Sequence, residues 1–96
     1  MAKFEVREVF RLPSRREFVL AGRITEGELK AGMSALVWLD SHAFWDLRVK
    51  SVEYIDRISV GESLTGLVIA EQDANDAETC SELCPTGTVI EVKNAA

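Results

Sequence analysis

No apolar run in the sequence approaches the ~20 residues that a membrane-spanning helix requires; stretches such as residues 66–70 have only strand length. The opening Met-Ala-Lys-Phe-Glu-Val-Arg alternates polar and apolar residues and lacks the continuous apolar centre of a signal peptide. These absences predict a cytoplasmic protein without a membrane partner. Cysteine is scarce: Cys80 and Cys84 are the only two, four apart in an expected helical turn and poorly placed for a disulfide. With His42 as the single histidine, a tetrahedral metal site would still lack a fourth ligand, so no metal and no other cofactor is expected. The phosphate-cradling pattern G-x-x-x-x-G-K-[ST] is missing, which excludes nucleotide hydrolysis of that type. His42 lies in a polar turn with Asp40, Ser41 and Asp46 close in sequence only. No catalytic residue is assigned, and an enzyme is not expected.

What is present describes an ordinary globular chain. Hydrophobic residues make up 47% and charged residues 28% of 96 residues, enough for one core and too few for two, so residues 1–96 are read as a single domain. The net charge of -5 is unevenly spread. Residues 1–30 carry seven basic and five acidic side chains, whereas residues 61–96 carry seven acidic side chains and one lysine. An acidic balance of this kind argues against duplex DNA, which demands a broad basic face.

Period-two patterning runs through most of the chain. Residues 4–12 alternate and then shift parity, which predicts a strand with a bulge that ends at Pro13. Residues 18–25 form the next strand, expected to pair with the first, and Gly27 supplies the turn that follows it. Residues 33–39 have apolar residues on both faces; residues 44–55 form a long strand with its own parity shift near Ser51; residues 63–70 form a fifth, after a turn at Gly61. Residues 75–83 break the pattern, with Asn75 as a cap, Asp76 and Glu78 in the first turn and Pro85 as a stop. One short helix is expected there, packed on the barrel end by its cysteines, before a last strand at residues 88–93 and a fraying tail. Six strands separated by glycine-marked turns predict an all-β closed barrel, which leaves no sheet edge exposed.

Val9-Phe10, then residues 19–27 (Val-Leu-Ala-Gly-Arg-Ile-Thr-Glu-Gly), then Leu29-Lys30-Ala31-Gly32 follow an order that resembles the second domain of translation GTPases such as elongation factor Tu. Residues 51–55 and 60–69 fit the remaining barrel strands, so the resemblance covers nearly the whole chain. It implies a translation-factor domain 2-like barrel, freestanding because the GTPase part is missing. In that family the domain contacts transfer RNA or ribosomal RNA and packs against a GTPase domain, so the implied partner is RNA or protein. Here the glycine-rich loop of the family is replaced by Pro13-Ser14-Arg15-Arg16-Glu17, whose contacts must differ.

Arg15, Arg16 and Arg23 are the basic group that could reach a phosphate or an acidic partner surface. Trp38, Phe44, Trp45 and Tyr54 gather around the turn at residues 40–43. The core is expected to take at least two of them, leaving an exposed Trp45 as the contact residue. The expected activity is therefore that of a non-catalytic interaction module with a protein or RNA partner, and self-association through Trp45 is one arrangement of it. The alternative is a small-molecule- or cofactor-binding barrel belonging to an enzyme.

Overall fold

A computed structural model describes residues 2–40, 42–57 and 62–94. The turn expected at Gly61 and the fraying of residues 95–96 lie outside them. Six antiparallel strands, β1 (Ala2–Leu12), β2 (Glu17–Glu26), β3 (Met33–Trp38), β4 (Phe44–Arg57), β5 (Glu62–Ala70) and β6 (Thr88–Asn94), close in the order β1-β2-β5-β4-β3-β6. The expected all-β barrel of six strands with one short helix is what the chain forms. Inward residues at alternate positions (Phe4 and Val6 on β1, Phe18 and Leu20 on β2, Ala35 and Val37 on β3, Ile90 and Val92 on β6) fill one core. Burying each large side chain of this set contributes roughly 1.5–3 kcal/mol.

Both parity shifts are real. The β1–β2 register slips between Val6 and Glu8, and the β4–β5 register slips between Val49 and Ser51. The first slip lies where β1 bends onto β2, and Gly22 makes it feasible. A Cβ on Gly22 would stand 1.9 Å from the Glu5 carbonyl oxygen, so no other residue fits there. β3 covers only the first part of β4: their pairing runs from Trp38↔Phe44 to Ser34↔Arg48. Beyond it β4 stays paired with β5, which β2 flanks as far as Thr65, and only the pairs from Ile55↔Leu64 to Arg57↔Glu62 form a two-stranded extension.

The two connections at the helix-closed end have defined geometry. Pro13–Arg15, the expected link between the first two strands, is one turn of 3-10 helix, closed by Arg16 in the left-handed region at φ 52°. The helix α1 (Asp76–Leu83) follows Asn75, yet Asn75 makes no side-chain cap. Instead the Asp76 carboxylate turns back and accepts the amides of Gln72 (2.7 Å) and Asp73 (3.1 Å). The acidic side chain satisfies two donors ahead of the first turn while favouring the helix dipole, and the Asn75 amide donates to Asp73 Oδ1 (2.9 Å). Ala77, Cys80 and Cys84 enter the core, so both cysteines pack α1 across the barrel end as reduced thiols. The contact between the two thiols, together with burial, drives the Cys80 thiol far above its ordinary range.

Candidate functional site

The end of the barrel that α1 closes also gathers the 3-10 turn, the start of β4 and the segment at residues 71–75. Here the chain places three of the four residues singled out by sequence. Arg15 and Arg16 stand exposed on the 3-10 turn, while Trp45 enters from β4. Arg23 is elsewhere. It is exposed on β2 opposite Glu5, seven residues beyond Arg16, which at about 3.3 Å per residue puts it roughly 23 Å away. The three arginines do not form one patch.

Trp45 is not the exposed aromatic that the sequence suggests. Val37 faces the core, and its register partner Trp45 shares that face. The indole is half-buried and stacks on the fully buried Phe18 ring at 6.3 Å between centroids. The opposite parity turns Trp38 and Phe44 outward, where they are 53% and 46% exposed and meet edge to face at 5.3 Å. Tyr54, opposite Thr65 of β5 in the later part of β4, is 82% exposed. Only one of the four aromatics therefore packs on the core, against the expected two or more. The outer residue of β3, Leu36, is 6% exposed in the single chain, so no second copy is required to cover it.

Ion pairs that link distant segments tie down the Arg15–Arg16 loop. Glu17, buried though outside the central core, is covered by its partners: Arg15 Nε stands 2.8 Å from Oε1 and Lys50 Nζ donates to Oε2. On the other flank Arg11 grips Glu71 through both Nε (2.7 Å) and Nη2 (2.8 Å), and the Glu71 amide donates to the Arg16 carbonyl (2.9 Å). The Lys50 hydrogen bond, opposed by burial and helped by Arg15, holds the Glu17 carboxyl below its usual 4.5. The Arg11 hydrogen bond does the same for Glu71, with Arg11 and Arg16 adding their charge. Neither contact is visible in sequence, since Arg11 and Glu71 are 60 residues apart. The hint that exists is the placement of one acidic residue beside Arg15 and Arg16.

A pH dependence follows. Two carboxyls held below 4.5 bind fewer protons folded than unfolded, so their stabilising effect is complete above that value and is lost as pH falls through the folded-state values. Urea midpoints measured from pH 6 down to pH 3 should fall, and the combined Glu17→Gln and Glu71→Gln change should flatten that acid limb. An equally steep limb in the double variant would remove these pairs as its cause.

The concavities at this end are small or polar. A cleft of about 110 Å³ beside Trp45 is bounded by Arg48, Ile69, Gln72 and Asp76. That is well below the ~300–1,000 Å³ of a typical ligand pocket. A neighbouring depression of about 360 Å³ is bounded by Arg11, Arg16, Glu71, Gln72 and Asp73, with Pro13 and Ala74 as its apolar members. Arg11 is already committed to Glu71 there. His42 is exposed in its turn, where its amide and that of Ala43 donate to Asp40 Oδ1 at 2.7 and 2.9 Å. Among the described residues no three histidine, cysteine, aspartate or glutamate side chains are grouped for a metal ion, and no helix is long and apolar enough to cross a membrane. Comparison of the chain with protein-family models, with curated proteins and with solved structures yields no match.

Proposed function

We propose that this barrel is a non-catalytic module that binds a protein partner, as a counterpart of the translation-factor second domain that its sequence resembles. The observation that supports it is the pair Trp38–Phe44, held half-exposed on the outer face of a closed barrel. Exposed, rigid aromatic side chains on a small domain are the anchors that protein interfaces reuse, because they supply area at little cost in conformational entropy. The acidic last third of the chain and the engagement of Arg11 and Arg15 by carboxylates weigh toward protein rather than RNA. RNA backbone binding wants unpaired cations along a groove.

Affinity capture from native lysate, with and without nuclease, tests the reading. A protein recovered in both arms, and still recovered with Arg15→Glu and Arg16→Glu, is the expected result. Recovery that depends on RNA, or that disappears with the two charge reversals, would transfer the role to the arginine loop and to nucleic acid.

A further inference from the structure

The outward residues of β4, β3 and β6 form three rows across the strands. Phe44 pairs with Trp38, Asp46 with Leu36 and Arg48 with Ser34, while Leu36 pairs with Glu91 and Ser34 with Lys93. Val89 lies two residues before Glu91 on the same face of β6, one step along that register toward Trp38, and is also half-exposed. One row is thus apolar (Phe44, Trp38, Val89), the next acidic around a shielded leucine (Asp46, Leu36, Glu91) and the third basic around a buried serine (Arg48, Ser34, Lys93). Leu39, half-exposed just past Trp38, extends the apolar row toward the turn.

Three properties of this face select an occupant. On this face β3 lies between β4 and β6, paired to both, so it offers no free edge for an extended peptide to join. The apolar anchors recur across strands at about 4.8 Å, close to the roughly 5–6 Å between neighbours on one face of a helix. The acidic row lies between the apolar row and the basic row, and on β1 Lys3 stands opposite Glu91 while Glu5 stands opposite Val89. A ligand that spans the first two rows therefore gains from positive charge along one flank, and the third row limits how far that charge can extend. A second copy related by a two-fold axis along the strands at Leu36 is disfavoured, since it would set Asp46 against Glu91 of the other copy.

We infer that this face docks an amphipathic helix of a protein partner, with its apolar side on Phe44, Trp38 and Val89 and one basic flank on Asp46 and Glu91. The inference rests on the protein-binding reading above and gives it a surface and a partner chemistry.

Two synthetic helical peptides of about 14 residues, or four turns, test it, sharing one leucine stripe and carrying either lysine or glutamate beside it. Binding is read by tryptophan fluorescence and calorimetry. The lysine peptide should bind at least about tenfold more tightly than the glutamate peptide, because opposite charges line the acidic row. Trp38→Ser should weaken the lysine peptide by about thirtyfold, the scale of losing a central aromatic anchor. Asp46→Lys together with Glu91→Lys should invert the preference between peptides. All these positions are exposed, and unchanged circular dichroism verifies that the variants fold.

Binding unaffected by Trp38→Ser, or a preference that survives the charge exchange, overturns the assignment, as does a single-stranded oligouridylate that competes for Trp38. The two readings fail separately. A captured protein whose retention ignores both changes leaves the module standing without this face. Failure to capture any protein, with the peptides still discriminating as stated, removes the module reading alone.

Discussion

Gly22→Ala should yield a chain that does not fold. The added methyl would lie 1.9 Å from the Glu5 carbonyl oxygen and 3.2 Å from the Arg7 amide nitrogen, and both neighbours are backbone. No rotamer change can relieve such an overlap; β1 would have to move away from β2 at the bulge that lets it bend. That bulge also positions Val6, whose carbonyl accepts the Gly87 amide at 2.7 Å where β6 closes the barrel. Separating β1 from β2 therefore acts on closure as well as on one strand pair. Overpacking a well-filled site costs about 1–3 kcal/mol when side chains can adjust, and a clash with main chain exceeds that. A domain of this size has roughly 5–10 kcal/mol in total. Gly32→Ala is the matched control. Gly32 has φ +91° with open space around its missing Cβ, so substitution there carries only the conformational penalty of about 1–2 kcal/mol. Circular dichroism and urea titration should show the Gly32 variant folded with a lowered midpoint and the Gly22 variant unfolded. A Gly22→Ala protein with a normal transition would mean that β1 and β2 do not approach as closely as described.

The same glycine shows what the sequence discloses. A glycine inside a period-two apolar run has few explanations other than close backbone approach, and the parity shift in β1 marks the bulge that needs it. Strand positions, the β1–β2 pairing, the helix plug and the role of its cysteines were legible for the same reason: each depends on residues close in the chain. The aromatic residues show where local reasoning stops. Trp38, Phe44 and Trp45 lie within one hairpin, and pattern alone cannot say which parity faces inward, because both faces of β3 are apolar. The choice is made by β6, whose Ile90 and Val92 close the core against Ala35 and Val37. The Arg11–Glu71 grip and the Lys50 contact to Glu17 are hidden for a related reason. They join segments that only barrel closure brings together, and they convert an apparently free basic loop into an anchored one.

Phe18→Ala is expected to be the second most damaging of the changes considered. Phe18 is fully buried at the plugged end, flanked by Arg11 on β1 and Ile69 on β5 in the strand register. Removing a buried ring costs about 3–5 kcal/mol from lost transfer free energy and the cavity left behind. The loss should not be uniform. Trp45 would lose the ring on which it stacks, so its indole gains access to water while Trp38, already half-exposed, stays as it was. Placing Phe18→Ala in a Trp38→Phe background isolates the Trp45 signal. Its emission should begin blue-shifted and move to the red with the cavity, and the urea midpoint should drop by the equivalent of about 3 kcal/mol or more. If the isolated Trp45 emission is already that of a fully solvated indole before Phe18 is changed, the residue belongs to the surface after all. The division of labour on this hairpin, with Trp45 sealing the core and Trp38 and Phe44 facing a partner, would then have to be reversed.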